Sequence, residues 1–253
     1  MPNDAALTVT DLVVRFGGVT ALDGVSFAVR PGEVCGLIGP NGAGKTTLFD
    51  CVSRLTRPRS GRIEFAGHDL LALPAHRVAR LGVARTFQHL GLVPSLSVRD
   101  NVMLGAQGTG RFLSAGLRLP GVRKAERALR ERADAVLDRF GLAALAAHPA
   151  AGLPYGTLKR VELARALAAD PALLMLDEPA SGLSHGEVDE LAGLIEDVRA
   201  GTTVLLVEHH MGMVMRLSET VVVLDFGKVV ATGTPAEVRE DPAVLAAYLG
   251  TPA

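Results

Sequence analysis

Gly39-Pro40-Asn41-Gly42-Ala43-Gly44-Lys45-Thr46-Thr47 is the stretch whose reading decides the fold. It fits G-x-x-x-x-G-K-[ST], a loop whose backbone N–H groups cradle nucleotide phosphates. Val34-Cys35-Gly36-Leu37-Ile38, just before it, is a short apolar run of the buried-strand type. Residues 46–52, just after it, read as the opening of a helix whose positive N-terminal end faces the phosphates. The glycines permit positive φ and close backbone approach, Lys45 supplies a point charge for the β- and γ-phosphates, and the Thr46 hydroxyl suits Mg²⁺. A chance glycine-rich turn would not bring both the strand and the helix with it.

Around this loop, 253 residues are enough for one large domain or a core with an inserted subdomain. Hydrophobic residues make up 48% of the chain, too many for a disordered protein. A net charge of −1 leaves no basic footprint, so nucleic acid is not expected as a partner. Cys35 and Cys51 are too few for a disulfide framework and read as buried free thiols. The first residues, Met1-Pro2-Asn3-Asp4, do not look like a signal peptide, and no uncharged apolar run reaches membrane-spanning length. The expectation is a soluble, cytoplasmic protein that reaches a membrane only by docking on another subunit.

In chain order, strand patterns at 7–16 and 25–30 are separated by turn residues. Phe16 ends the first of these, where core packing and an exposed face for base stacking both fit. A turn and strand at 60–67, a short helix at 74–81 and a strand at 82–87 lead to Gln88. From 88 to 151 no convincing strand appears; helical patterns occupy 98–104 and 121–140, with a glycine-punctuated linker over 105–120. The charges of 121–140 read as a solvated face. Thereafter helices at 157–169, 186–199 and 211–217 alternate with strands at 172–176, 202–207, 220–225 and 228–231, before two short C-terminal helices. That alternation, with all-apolar strands, predicts a mostly parallel α/β sheet covered on both faces.

Leu173-Leu174-Met175-Leu176-Asp177-Glu178-Pro179 is an apolar strand ending in two carboxylates, at the edge where α/β proteins bind ligands. In phosphate-loop proteins the first acid holds Mg²⁺ and a second can orient or deprotonate the attacking water.

With these residues in place the chain resembles an ATP-binding cassette (ABC) subunit over essentially its whole length. Gly39 to Thr47 take the Walker A position, and Leu173 to Glu178 Walker B with its catalytic glutamate. Gln88 falls at the glutamine-loop position, and His209, after Thr203 to Glu208, at the switch-histidine position. Phe16 takes the place of the adenine-stacking aromatic. Leu153-Pro154-Tyr155-Gly156-Thr157 occupies the signature position and Ser181-Gly182-Leu183-Ser184 the D-loop.

The resemblance implies a phosphate-loop ABC fold. Residues 1–87 and 152–253 would form the core with an N-terminal antiparallel β-subdomain, and 88–151 an inserted helical subdomain. It implies ATP and Mg²⁺ as cofactors. Thr46, Gln88 and Asp177 would lie at the metal, Lys45, Gln88, Glu178 and His209 at the chemistry, and Gly156 on the ATP of an opposing cassette. It further implies a head-to-tail cassette dimer driving membrane permeases from the inner face of the cell membrane.

Two regions depart from the family pattern. Pro154 replaces the signature serine and has neither a hydroxyl nor an N–H to offer a phosphate. Thr157 replaces the usual glutamine, and Ser184 the usual D-loop aspartate. These departures point to an asymmetric dimer with a second, different cassette, in which the ATP site completed by Pro154 is the slower.

Phe16-Gly17-Gly18-Val19, Arg85-Thr86-Phe87-Gln88, Tyr155, Val207 to Met211, Leu224 to Lys228 and Gly233 to Gly250 are similar to the ATPases of branched-chain amino-acid importers. Those systems pair two cassettes with two permeases and a solute-binding protein. A lipopolysaccharide-type cassette and a urea or amide importer are the nearest alternatives. A soluble, non-transport ABC ATPase fits less well. The 65 positions from Gln88 to Leu153 carry no sustained heptads, and the chain holds one cassette, not two.

Overall fold

All five residues of β3 (Val34–Ile38) are buried, and their alternating side chains feed two different cores. Cys35 and Leu37 face one, and Val34 the other. The same division runs through β7 (Leu173–Asp177) and β8 (Thr203–Val207), where Leu173, Met175, Leu205 and Val207 face the first core and Leu174, Leu176, Val204 and Leu206 the second. Strands apolar on both sides can sit only in the middle of a layered fold. The computed structural model describes residues 6–88, 90–106, 120–199 and 201–249.

These strands belong to a six-stranded sheet. With β6 (Val83–Arg85), β9 (Thr220–Asp225) and β10 (Lys228–Gly233) its order is β10-β9-β3-β8-β7-β6. Every pairing is parallel except the β9–β10 hairpin at one edge. A second sheet, antiparallel, has the order β2-β1-β4-β5 and is made of β1 (Leu7–Phe16), β2 (Val19–Val29), β4 (Ser60–Phe65) and β5 (His68–Asp69). The first core lies between the two sheets and takes in Leu48, Phe49 and Val52 of α1 (Lys45–Val52). The short helix α2 (Ala75–Arg80) adds Val78 to it.

The second core is helical. It joins the other face of the parallel sheet to α3 (Val98–Ala106), α4 (Pro120–Arg139), α5 (Tyr155–Leu167) and α6 (His185–Val198). Among the residues of α4 whose burial is described, 124–139, Ala133 and Leu137, continued by Phe140, are fully buried, so this stripe carries the packing and the charged face stays in solvent. Arg99 pairs with Asp134 at 2.6 Å, linking α3 to α4. α3 and α5 cross closely: a side chain at Gly105 would stand 1.8 Å from the Arg165 carbonyl oxygen. A third, smaller core joins Ile38, Val221 and Val223 to α7 (Met211–Leu217), α8 (Pro235–Glu240) and α9 (Pro242–Leu249) through Val214, Val238 and Val244.

Cys35 and Cys51 are buried free thiols; burial pushes the Cys51 thiol up to about 12 and that of Cys35 further, so neither is reactive. The structure differs from the sequence expectations in several elements, among them β6, shorter than the expected 82–87, and β10, longer than the expected 228–231. β2 begins at Val19, not Val25, because the Gly17–Gly18 turn pairs Phe16 directly with Val19. β5 was not expected. α5 begins at Tyr155, two residues early, which puts Tyr155 and Gly156 inside its first turn. The expected linker over 105–120 lies, apart from its ends, outside the described residues.

Candidate functional site

The phosphate loop is built by glycines that no other residue can replace. Gly39 has φ +148°, and a Cβ there would lie 2.0 Å from the Leu224 carbonyl oxygen. Gly44 has φ +105° and would place a Cβ 2.6 Å from the Ala21 oxygen. The loop is thus pressed between β9 and β2. The β9–β10 turn holds it from the side: the Gly227 N–H donates to Ala43 O at 3.1 Å, and Asp23 N–H donates to Gly227 O at 2.8 Å. Gly44 also starts α1 with no side-chain cap, leaving the helix's first N–H groups to an external acceptor.

Lys45 Nζ crosses the loop to donate to Gly39 O at 2.7 Å and Pro40 O at 3.0 Å. Burial lowers its pKa, against the opposing pull of Glu178 and Asp177. Asn41, Gly42 and Thr46 are exposed, Pro40 and Thr47 partly so, and Ala43 is buried.

Asp177 and Glu178 end β7 beside this loop and differ in environment. Asp177 is buried; burial raises its pKa while the hydrogen bond and charge of Arg85 oppose the rise. Its carboxylate accepts from Arg85 Nη2 at 2.9 Å, and its N–H donates to the Thr86 hydroxyl at 3.2 Å. Glu178 turns out of the strand with φ +49°, a left-handed conformation uncommon outside glycine. Its N–H donates to Val207 O at 2.9 Å, and its Oε1 lies 2.7 Å from His209 Nε2. The structure therefore brings Lys45, Asp177, Glu178 and His209 around one mouth at the C-terminal edge of the parallel strands.

Two residues that organise this mouth were not picked out from the sequence. Glu208 is only 2% exposed. Its Oε1 accepts from Ala180 N–H at 2.7 Å, and its Oε2 from His209 N–H at 2.7 Å and His210 N–H at 3.0 Å. One carboxylate thus ties the histidine to the segment after Glu178. The other is Arg85, whose signal was a cation closing an otherwise apolar strand.

The remaining expected site residues are spread out. Phe16 is 53% exposed, which favours an accessible face over core packing. Gln88 is exposed just after β6. Pro154 is the residue that caps α5, with no side-chain hydrogen bond to the helix. Gly156 is buried, and a Cβ there would meet Glu187 Oε1 at 2.1 Å, so a side chain at this position would have to displace the Glu187 carboxylate. Ser184 caps α6: Glu187 Oε2 accepts from its N–H at 2.9 Å and its hydroxyl at 2.7 Å. Serine at this D-loop position thus has a structural use.

Among the described residues no cluster of three His, Cys, Asp or Glu is placed to hold a metal by itself. The oxygen donors beside the loop include the Asp177 carboxylate and the Thr46 hydroxyl. That set suits Mg²⁺, which is held by one or two protein oxygens, waters and substrate phosphates. Among the described residues, too, no helix is long and apolar enough to cross a membrane.

Comparison with known proteins gives the same picture at larger scale. Residues 22–181 match the family model described as ABC transporter, and residues 228–253 match that of the branched-chain amino acid ATP-binding cassette transporter. The chain is 43% identical over 249 residues to the high-affinity branched-chain amino acid transport ATP-binding protein LivG of Salmonella typhimurium, covering 96% of this chain and 97% of that one. It is 40% identical over 248 residues to BraF of Pseudomonas aeruginosa, which carries the same description, with the same coverages. Among solved structures, the ADP conformation of an ATP-binding cassette of an ABC transporter superposes with a TM-score of 0.85 at 30% identity, over 98% of this chain and 99% of that one. A nucleotide-free cassette gives 0.86 at 29% identity, over 98% and 100%.

Proposed function

From the premise that this chain belongs to the ABC transporter family of ATP-binding cassettes and is a transporter ATPase, we propose that it powers uptake of branched-chain amino acids. The observation that carries the solute class is end-to-end similarity to LivG and BraF together with the family match over the C-terminal segment. Its partners are a second, different cassette, two integral-membrane permeases and, through them, a solute-binding protein. It sits peripherally on the cytoplasmic face of the membrane.

The reaction is transfer of the γ-phosphoryl group of ATP to water. Phe16 offers an exposed ring to the adenine. The loop amides of residues 41–47 and the N-terminus of α1 receive the phosphates, and Lys45 Nζ leaves its two carbonyl partners for the β- and γ-oxygens. Thr46 and Asp177 would hold Mg²⁺ with Gln88 nearby, and the ion would neutralise developing phosphate charge. Glu178 accepts the proton of the attacking water as the water oxygen bonds to phosphorus and the bond to the bridging oxygen of ADP breaks. His209, whose Nε2 lies 2.7 Å from Glu178 Oε1, fixes that carboxylate and through it the position of the attacking water. Gly156 and the start of α5 face the ATP held by the partner cassette.

The test is uptake of labelled leucine, isoleucine and valine by cells lacking the gene for this chain. Loss of high-affinity uptake, restored by the wild-type chain and not by Glu178→Gln, supports the proposal. Uptake that persists at full rate while another solute's is lost would overturn the solute class.

A further inference from the structure

Arg85 is the last residue of β6, just ahead of Gln88, and its side chain is only 7% exposed. Its Nη1 donates to Asp50 Oδ1 on α1 at 2.7 Å and lies 3.3 Å from the Ser53 hydroxyl. Its Nη2 donates to Asp177 Oδ2 at 2.9 Å. The guanidinium lies 5.4 Å from the centroid of the Phe49 ring and 5.1 Å from that of Phe87. Its Nε is buried and makes no hydrogen bond. One side chain therefore touches the helix of the phosphate loop, the end of the Asp177 strand and the residue preceding Gln88.

A buried arginine with an unsatisfied N–H is costly if stability is its only purpose. The fork geometry explains the choice of residue. A guanidinium can bond two carboxylates through separate nitrogens while its plane packs against aromatic rings; an ammonium cannot do both. Arg85 engages Oδ2 of Asp177 and leaves the other carboxylate oxygen, Oδ1, outside that ion pair.

We propose that Arg85 is a positioning residue: it fixes the Asp177 carboxylate for the nucleotide-bound Mg²⁺ and couples that carboxylate to the Phe87–Gln88 segment. This rests on the nucleotide-site reading above. It gives the chain a direct mechanical link between occupancy of its phosphate site and the segment facing its membrane partner. Asp50 is the second anchor of the same link.

The test is a Mg²⁺ titration of the purified full-length chain with a fluorescent ADP analogue, reading the tightening of nucleotide binding, with thermal unfolding measured in parallel. For Arg85→Met the expected result is a Mg²⁺ affinity about 10–100-fold weaker, the range found when partners of a metal ligand are removed. Mg²⁺-free nucleotide affinity should stay within about twofold of wild type. Arg85→Lys should recover only part of the loss. Asp50→Asn leaves Asp177 and its partner intact and guards against a folding defect; it should weaken Mg²⁺ affinity with a near-normal unfolding temperature. Unchanged Mg²⁺ affinity in both Arg85→Met and Asp50→Asn overturns the role, as does an equal fall of both nucleotide affinities tracking the unfolding temperature. A wild-type chain whose nucleotide binding ignores Mg²⁺ would overturn the site reading itself, and the role of Arg85 with it.

Discussion

Glu178 holds φ +49°, a conformation costing a non-glycine residue of the order of 1–3 kcal/mol. Its backbone bond to Val207 and its side-chain contact with His209 hold it there, so the strain is carried by contacts to the neighbouring strand and the segment after it. Removing the charge should separate binding from chemistry. Glu178→Gln is expected to cut kcat by about 10²–10⁴-fold while leaving the nucleotide Kd near wild type, as measured by steady-state hydrolysis and equilibrium binding. Glu208→Gln probes the support beneath. A glutamine has one acceptor oxygen where three N–H groups now meet a carboxylate. We expect kcat to fall about 10–100-fold through misplacement of His209 with KM little changed. A parallel loss of binding would mean that Glu208 supports the fold at large. The pairing of Glu178 with His209 follows from motif positions in the sequence. The role of Glu208 does not, because a glutamate beside two histidines reads as a solvated turn until its burial is known.

Elements were most legible where periodicity and punctuation agreed. β1, β3, α7 and β9 have the bounds their residues announce. The first half of β2 is held by its register with β1 and carries no alternating pattern of its own, and α5 starts within a segment that reads as loop. Packing between elements is invisible in one dimension, and it is where two predictions lie. Gly105→Ala forces a Cβ towards the Arg165 oxygen and should push α3 from α5, lowering the unfolding temperature of the chain. Leu137→Ala, on the buried stripe of α4, is expected to cost about 2–5 kcal/mol in chemical denaturation. At α6 the Ser184 hydroxyl and backbone N–H hold the Glu187 carboxyl below its ordinary pKa. A depressed carboxylate adds stability above its unfolded pKa and loses it as pH falls through its folded value. Ser184→Ala should therefore flatten the acid limb of the stability profile and leave the alkaline limb alone.

For the whole molecule, the fold class followed from strands apolar on both faces, whereas the strand order and the packing of an antiparallel sheet over one face depend on long-range pairing. The larger question is asymmetry. This chain's phosphate loop, Asp177, Glu178 and His209 converge, while the start of α5 offers Pro154 where a hydroxyl donor would serve a phosphate. What remains there is the set of first-turn N–H groups of α5, a weaker anion site than one completed by a hydroxyl. In the assembled transporter the two ATP sites should then turn over unequally. The faster site is expected to be the one that uses this chain's Glu178 and the partner's signature. Glu178→Gln in this chain should remove most steady-state hydrolysis by the reconstituted complex. Replacing the partner cassette's corresponding carboxylate should remove less than half. Pro154→Ser should raise the slower site's share, seen as increased residual hydrolysis in the Glu178→Gln background. Equal losses from the two carboxylate replacements, with no gain from Pro154→Ser, would show that the α5 amides suffice and that the proline is neutral.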